Sequence, residues 1–390
     1  MIYIGIDVAK DKHNCFITNS DGEVLFKSFT ISNNRQGFET LFQKVQSISD
    51  DLTKVKVGLE ATGHYSCNIL GFLKNKGLHC TVETLNGRKI LYAATVPGKT
   101  PDVLLNAHLD VVPAPDSMFE PEERDGKLFA RGSSDCQGNS LVLAEVLSSL
   151  VGKASAGVLF STDEETGGST TAYMVERGYG AKKIILILDA APYGIAHAQK
   201  GIISLTLRAN GKGGHSSEPW AFNNPIDLLV DGYVKLRAAW PALPADHWGD
   251  SMTPCIISGG QAFNQIPDTA EMVLNIRFIR PGDEEKIIGG IREITGLEVI
   301  VNSISAPAFV DESHPLMRKL KADMQKRFPD HKIEFYRMHG ATDARHFAEL
   351  GVPIAILGSE GGGMHSAGEW VSLASLEDCR VLLSDFIRSI

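Results

Sequence analysis

Several features that would assign a chain to a membrane or to the secreted proteins are missing from this sequence. It contains no apolar run of the roughly 18 residues that a membrane-spanning helix needs, and its N-terminus shows no signal-peptide pattern. The six cysteines form neither close pairs nor Cys-x-x-Cys spacing, which favours reduced thiols over a disulfide framework. We therefore expect a cytoplasmic protein without a membrane partner.

A surplus of basic residues is also missing. Lysine and arginine number 38 against 47 aspartates and glutamates, and the net charge of −9 argues against a general affinity for nucleic acid. What is present is a composition typical of globular proteins, with 43% hydrophobic and 22% charged residues. Because 390 residues exceed what a single hydrophobic core usually serves, we expect more than one domain.

The N-terminal part of the chain alternates between short apolar strands and helices. Strands joined by short turns are followed by a helix that starts near Asn34, by a strand at 55–60 and by a helix at 65–76. This β-β-β-α-β-α order is that of a ribonuclease-H-like fold, in which strand-end carboxylates bind divalent metals. Asp7 and Glu60 stand near the ends of two of these strands.

The same part of the chain resembles a known family. The stretches 5–10 and 58–64 are similar to the start of insertion-sequence transposases that have a RuvC-like nuclease domain with four carboxylates. The resemblance implies that Asp7 and Glu60 match the first two acids, whereas the chain leaves the pattern before the other two. We therefore interpret residues 1–83 as a partial ribonuclease-H-like transposase fragment that lacks nuclease activity.

The stretch 104–112 is a short apolar run that contains a histidine, His108, and a carboxylate, Asp110. Because alternate side chains of a strand share a face, we expect His108 and Asp110 to point the same way. Such a pair suits a metal-bound imidazole whose orientation is held by a neighbouring acid. For this motif alone, a buried histidine paired with a strand-end aspartate is the alternative interpretation.

Further acids and histidines follow in the same part of the chain. They are Asp135 in a glycine-bounded loop, Glu164 and Glu165 after an apolar strand, Asp189 after a continuous apolar run, and His365 after three glycines. Strand-end groups of an α/β domain converge on the carboxyl edge of the sheet. Histidines and carboxylates without a cysteine suit zinc, with cobalt or manganese as alternatives. A surplus glutamate beside a ligand glutamate provides the general base that metal-assisted hydrolysis needs.

Residues 86–390 resemble the co-catalytic zinc aminoacylase and carboxypeptidase family, which includes acetylornithine deacetylase, succinyl-diaminopimelate desuccinylase and glutamate carboxypeptidase. The resemblance implies an α/β zinc-hydrolase domain with a mixed sheet and two zinc ions. The implied ligands are His108, Asp135 and Asp189 for one ion, and Asp135, Glu165 and His365 for the other. Asp110 would orient His108, and Glu164 would be the general base.

In this family a lid and dimerisation domain interrupts the catalytic domain. The resemblance assigns residues 84–200 and 309–390 to the catalytic domain, and 201–308 to an α+β lid through which the protein would form a homodimer. His215 of the lid would reach the active site of the partner subunit and polarise the scissile carbonyl. The positions that hold the substrate carboxylate are matched by Asn264, Arg277, Thr342 and Arg345.

The reaction implied by this resemblance is hydrolysis, by metal-bound water, of an amide bond in N-acyl amino acids or small peptides. Gln137 stands where the family often has lysine, and Asp189 stands where it often has glutamate. In addition, transposase-like residues occupy the place of the segment that normally precedes the first motif. A catalytically impaired fusion and a transposase-related DNA-handling protein therefore remain as alternatives.

Overall fold

The computed structural model describes residues 2–8, 12–20, 23–32, 35–49, 55–60, 74, 76–245 and 247–390. The chain divides into two structural units, Met1–Phe72 and Leu73–Ile390. No helix in the described ranges is long and apolar enough to cross a membrane.

The first unit is built around a small sheet. Its described elements are β1 Ile2–Val8, β2 Lys12–Asn19, β3 Val24–Ser32, α1 Arg35–Gln46 and β4 Val55–Glu60. The strand order is β3-β2-β1-β4, with β1 antiparallel to β2 and parallel to β4. Ile17 and Ile31 of the strands are buried together with Leu41 and Val45, which lie one turn apart on α1. The described elements confirm the predicted β-β-β-α-β part of a ribonuclease-H-like domain.

The two acids predicted for this unit lie on neighbouring strands. Asp7 of β1 and Glu60 of β4 are register partners, so the backbone brings these positions side by side. The predicted helix at 65–76 lies outside the described residues, apart from 74 and 76.

The second unit contains the remaining elements. Its strands are, in chain order, β5 His79–Leu85, β6 Arg88–Ala94, β7 Val103–His108, β8 Glu122–Arg124, β9 Lys127–Phe129, β10 Ala156–Ser161, β11 Ile184–Leu188, β12 Gly194–Gln199, β13 Gly201–Asn210, β14 Gly214–His215, β15 Ser251–Gly259, β16 Gln265–Ile266, β17 Thr269–Phe278, β18 Glu298–Ser305, β19 Ala308–Phe309, β20 Glu334–Met338, β21 Ile354–Leu357, β22 Gly361–Gly362 and β23 Trp370–Ser372. Its helices are α2 Gln137–Ser149, α3 Ser169–Glu176, α4 Pro225–Ala239, α5 Glu284–Thr295, α6 Pro315–Arg327, α7 Ala344–Phe347 and α8 Leu373–Arg388.

The main sheet of this unit follows the order β19-β12-β21-β11-β7-β10-β6-β5, and β20 pairs with β12. Its central strands β21, β11, β7 and β10 run parallel, whereas β6 is antiparallel to β10. Every residue of β7, β10 and β11 is buried, as the continuous apolar runs of these strands predict. Helix α2 packs against β7 and α8, and α3 packs against β6 and β10. The result is the predicted mixed sheet of an α/β domain.

A hairpin of β5 and β6 forms one edge of the main sheet. The two strands pair along their full lengths, and β6 pairs in turn with β10. Ile90 and Leu91 of β6 are completely buried. The domain boundary predicted between 83 and 84 would therefore cut through β5. Because backbone pairing and burial tie the hairpin to the sheet, the structural boundary lies earlier, between Phe72 and Leu73.

A second sheet, with the order β15-β17-β13-β18, is built from residues between 201 and 305. Helices α4 and α5 pack on it, and they bury Leu229, Leu236, Ile288 and Ile291 against its strands. β14 and β16 pair in a separate short ribbon. These elements stand in the sequence between β12 and β19, which both belong to the main sheet, so the α+β region interrupts the α/β domain as the fold prediction requires.

A small sheet with the order β22-β23-β9-β8 joins two loops that are distant in sequence. β9 leads into the loop 130–136, and β23 directly follows the loop 363–369. Phe129 of β9 and Trp370 of β23 are register partners. This pairing brings together the loops that carry Asp135 and His365.

Candidate metal centre

The candidate site forms where parallel strands of the main sheet end. β7 ends at His108, and β11 is followed directly by Asp189. Ser161, the last residue of β10, is the register partner of His108 and precedes Glu164 by one short turn. Since these strands are parallel, their carboxyl ends bring the three groups to one edge of the sheet.

Asp135 links the two predicted histidine ligands. Its Oδ1 lies 2.9 Å from Nε2 of His108, and its Oδ2 lies 3.1 Å from Nε2 of His365. His108 and Asp135 are buried, whereas His365 is exposed. The two oxygens of one carboxylate therefore face two different histidines, which is the arrangement that a bridging ligand requires.

His365 also contacts Glu165, and a tight loop presents it. Nε2 of His365 lies 3.1 Å from Oε2 of Glu165. Gly363 in this loop has a φ of 70°, and a side chain there would come within 2.4 Å of the carbonyl oxygen of Gly368. Only glycine fits this conformation and this spacing, so the glycine-rich sequence before His365 serves the shape of the turn.

Asp189 and Glu164 complete the cluster. Ligand atoms of His108, Glu164 and Asp189 lie within 4.8 Å of one another, and the same holds for His108, Asp135 and Glu165. Burial raises the pKa of Asp189 well above its usual range, and the neighbouring Glu164 carboxylate acts in the same direction. The structure thus brings together all five predicted metal ligands, and Glu164 stands as close to His108 and Asp189 as a ligand would.

Asp110 fixes several parts of the site at once. Its carboxylate oxygens accept hydrogen bonds from the backbone N–H groups of Glu164 at 3.2 Å and of Glu165 at 3.1 Å. Nδ1 of His108 lies 2.9 Å from the backbone carbonyl of Asp110 and 3.5 Å from its carboxylate. Donation from Nδ1–H to this carbonyl leaves Nε2 to bind a metal. Asp110 thus contacts His108 mainly through its backbone carbonyl, and its carboxylate binds the backbone of both glutamates.

Glu164 pairs with a buried arginine. Nη1 of Arg345 donates to Oε1 of Glu164 at 3.0 Å and to the carbonyl of Thr342 at 3.1 Å. Burial raises the pKa of the Glu164 carboxyl to about 7; the negative charge of Asp343 adds to this effect, and Arg345 opposes it. A carboxyl group that titrates near neutral pH is suited to accept a proton and to return it.

The donor set of the cluster fits a divalent cation of the zinc type. It offers imidazole nitrogens and carboxylate oxygens within reach of a single ion. The thiol of Cys136 lies nearby, but it donates to the carbonyl of Leu188 at 3.2 Å. Burial raises the pKa of this thiol to about 11, and Cys136 belongs to neither group of candidate ligand atoms.

Of the predicted substrate-binding residues, Arg345 is hydrogen-bonded to Glu164, and Arg277 lies within electrostatic range of both. Burial lowers the pKa of the Arg277 guanidinium, and the positive charge of Arg345 lowers it further. Nη1 of Arg277 is buried and has no hydrogen-bond partner among the described residues. A guanidinium in this state is suited to an anion, because it offers parallel N–H donors to a carboxylate.

The remaining predicted residues of the site are a buried threonine, Thr342, and two exposed residues of the inserted region, Asn264 and His215. Thr342 is buried, and its hydroxyl group donates to Oε1 of Gln199 at 2.9 Å. Asn264 and His215 are both exposed, and the pairing of β14 with β16 holds their loops together. The structure thus brings Asn264 close to His215 in the inserted α+β region, whereas Thr342 is bonded inside the catalytic domain.

Sequence reasoning assigned no role to a set of buried polar residues that support the site. They are Arg131, Asp163, Gln199, Asp343 and Glu369. Oδ2 of Asp343, for example, accepts hydrogen bonds from the hydroxyl groups of Ser161 and Thr171. Such partners lie far apart in the sequence, so no local pattern marks them. The one available signal is a charged residue close to a motif, such as Glu369 shortly after His365.

Comparison with known proteins agrees with this geometry. Residues 104–389 match peptidase family M20/M25/M40, and residues 4–99 match the transposase family of the IS110 type. A probable succinyl-diaminopimelate desuccinylase of Staphylococcus aureus is 25% identical over 328 residues, which cover 72% of this chain and 80% of that protein. The succinyl-diaminopimelate desuccinylase of Xylella fastidiosa is 29% identical over 317 residues, with coverage of 71% and 80%.

A solved structure shows the same fold. The aminopeptidase PepT of Bacillus cereus superimposes with a TM-score of 0.69 at 16% identity, over 84% of this chain and 92% of that one. The match to the peptidase family covers more than half of the chain and contains every residue of the metal cluster. The chain therefore belongs to peptidase family M20/M25/M40.

Proposed function

We propose that this protein hydrolyses an amide bond next to a free carboxylate, in an N-acyl amino acid or a small peptide. As a member of its family it is a hydrolase of the metallopeptidase and desuccinylase type. The observation that carries the proposal is the cluster in which one carboxylate, Asp135, faces both His108 and His365.

The cluster suits a pair of zinc ions, with cobalt or manganese as alternatives. The proposed ligands are His108, Asp135 and Asp189 for one ion, and Asp135, Glu165 and His365 for the other. When bound, the ions would lower the pKa of a bound water and polarise the scissile carbonyl. The two-sided contact of Asp135 supports its role as the shared ligand.

Glu164 is the proposed general base. Its carboxylate would take a proton from the attacking water and pass it to the leaving amine. The position of its carboxylate supports this role, because an oxygen of Glu164 lies within 4.8 Å of ligand atoms of His108 and Asp189. The hydrogen bond from Arg345 would hold the carboxylate in one orientation while the proton moves.

Arg277 is proposed to bind the carboxylate of the substrate. Its buried Nη1 lacks a partner among the described residues, and its guanidinium lies near Arg345 and Glu164. A planar guanidinium binds a carboxylate through two parallel hydrogen bonds. Asn264 would assist from the lid, and Thr342 would assist indirectly by fixing the loop that carries Arg345.

The lid, residues 201–308, is proposed to join two copies of the chain in a homodimer. Nδ1 of His215 contacts Ser217 of its own loop at 2.8 Å, so Nε2 would be available to the active site of a partner subunit. Strand β15 lies at the edge of the lid sheet and exposes Ile256 and Ile257 by 61% and 62%. Exposed apolar edge strands are typical of surfaces that pair with another chain.

A substrate screen tests the proposed function. The purified full chain would be assayed, with zinc or cobalt added, on N-acetyl and N-succinyl amino acids and on dipeptides. Each substrate would be paired with an analogue in which an amide replaces the free carboxylate. We expect hydrolysis in at least one carboxylate series and at least about tenfold slower hydrolysis of the analogues, because Arg277 loses its partner. Equal rates for both, or no hydrolysis with metal bound, would contradict the proposal.

A further inference from the structure

A buried ion pair lies beside the candidate metal ligands. Nη1 of Arg131 donates to Oε2 of Glu369, and these side chains are 4% and 0% exposed. Apolar residues can often replace such a buried pair without loss of stability, so stability alone is a poor reason for its presence. The other contacts of the two side chains point to a more specific role.

Glu369 is bonded to the backbone that carries Asp135. Its Oε1 accepts hydrogen bonds from the backbone N–H groups of Ser134 and Asp135, each at 3.0 Å. A carboxylate that accepts two adjacent N–H groups through charge-assisted bonds fixes the direction of the segment. The side chain of Asp135, which faces His108 and His365, therefore starts from a fixed backbone.

Arg131 connects the same pair to the loop of His365. Its Nη2 donates to the backbone carbonyl of Ser366 at 3.2 Å. The pairing of β9 with β23 brings the two loops together, and the ion pair joins them beyond the ends of these strands. Arg131 and Glu369 thus fasten the loop of Asp135 to the loop of His365, although Glu369 and Asp135 are 234 positions apart in the sequence.

We propose that this ion pair positions Asp135 and His365 and thereby sets the affinity of the metal site that contains them. The inference rests on the proposed function, since it assumes the metal pair. Neither ligand stands on a helix or strand that would hold its direction. The ion pair orders both loops in advance, so that the metal does not have to order them when it binds. Arg131 and Glu369 are positioning residues for this site.

The substitution Glu369→Gln tests this role. Glutamine keeps the volume of glutamate, but one of its two terminal groups is an NH2 donor instead of an oxygen acceptor. In either orientation this NH2 group would face another donor, on Arg131 or on the backbone of Ser134 and Asp135. We expect the affinity of the zinc site that contains Asp135 and His365 to fall about tenfold to hundredfold, and that of the other site, which shares Asp135 but not His365, to fall by less. The measurement is competition for zinc between the full chain and a chromogenic chelator, on protein that circular dichroism shows to be folded.

Control variants separate positioning from general stability. Glu377→Gln removes a surface ion pair with Arg380 in α8 and should change neither zinc affinity. Leu383→Ala empties a fully buried position of the same helix, so it should lower the melting temperature but not the zinc affinity. Arg131→Lys keeps the charge but loses the forked contact, and it should weaken the same site as Glu369→Gln by a smaller factor.

The outcomes distinguish this inference from the proposed function. It is overturned if Glu369→Gln and Arg131→Lys bind both zinc ions as tightly as the unsubstituted chain, or if Leu383→Ala weakens binding equally. If Glu369→Gln does not fold, Arg131→Lys decides between these outcomes. An unsubstituted chain that binds no zinc would instead refute the metal pair of the proposed function, and this inference with it.

Discussion

At the scale of single residues, the site depends on a few carboxylates that each make several contacts. The oxygens of Asp110 accept the backbone N–H groups of Glu164 and Glu165, and one of them lies 3.5 Å from Nδ1 of His108. Asp135 likewise divides its oxygens between two histidines. Because each carboxylate constrains more than one neighbour, the loss of one is expected to disturb the cluster as a whole.

Arg277→Lys tests the proposed contact with the substrate carboxylate. Lysine keeps the positive charge but cannot offer two parallel N–H donors. We expect KM for a carboxylate substrate to rise about tenfold to hundredfold, with a smaller change in kcat. Steady-state kinetics measure both constants. Arg208→Lys, at an ion pair with Glu271 in the lid, is the matched control and should leave KM unchanged. An equally small effect of both variants would argue against the contact.

The candidate ligands could be predicted from the sequence more completely than the residues that support them. His108 and Asp189 stand at the ends of apolar strands, and such strands are visible in the sequence itself. The family resemblance also selects Thr342, whose hydroxyl group is bonded to Gln199, at the end of β12. Partners of this kind are set by the tertiary fold, so local patterns do not contain them. The partners of Glu369 are set in the same way, and only its place shortly after His365 marks it in the sequence.

At the scale of elements, the hairpin of β5 and β6 lies in the second unit, although the match to the transposase family extends over it. Residues 4–99 match the transposase family, yet β5 and β6 pair with each other and β6 pairs with β10. The order of strands and helices could be predicted because apolar periodicity is a local property. The predicted boundary between 83 and 84 falls within β5, and nothing local in a short strand specifies which sheet it joins.

Shortened chains test the place of this hairpin. A chain that begins at Leu73 keeps β5 as the edge strand, whereas a chain that begins at Asn86 makes β6, which is still paired with β10, the new edge. We expect the shorter chain to melt at least about 4 °C lower and to aggregate more readily, because it loses the pairing of β5 with β6 and exposes the edge of a largely buried strand. Thermal melting and light scattering provide the measurement. Identical melting temperatures would mean that β5 contributes nothing to the sheet.

At the scale of the whole molecule, the candidate metal centre is contained in the unit Leu73–Ile390. The first unit carries Asp7 and Glu60 on neighbouring strands, and these are two of the four acids that the transposase resemblance requires. The fold class of both units could be predicted because it follows from the order of their elements. The proposed role of the exposed His215 requires a partner subunit. The way in which two copies of the chain would associate could not be predicted from the sequence.

The double substitution Asp7→Asn with Glu60→Gln tests whether the first unit takes part in the chemistry. Both changes remove charge but keep size. Because the candidate metal centre lies in the second unit, we expect the rate of amide hydrolysis and the zinc content to stay the same. Glu165→Gln, a change of the same kind at a candidate ligand, should lose zinc. Metal analysis and the substrate assay provide the measurement. A lower rate in the double variant would refute the interpretation of residues 1–83 as a fragment without catalytic role.

Mixed dimers test the proposed use of His215. His215→Ala and Glu164→Gln should each be inactive, but a dimer of one subunit of each kind would retain one site with an intact base and an intact partner histidine. We therefore expect partial recovery of activity after subunit exchange, with mixing confirmed by two different affinity tags. Mixed dimers without recovery would assign His215 to its own subunit's site or to no site.

The central claim is that Glu164 acts as the general base beside an intact metal pair, and Glu164→Gln tests it most directly. Glutamine retains the size and hydrogen bonding of the side chain but cannot accept the proton. The measurement is kcat for the best substrate of the screen, together with zinc content, in the variant and the unsubstituted chain. With equal zinc content, we expect kcat to fall at least about a hundredfold. Joint loss of zinc and activity would make Glu164 a ligand, and an unchanged kcat with zinc bound would contradict the account.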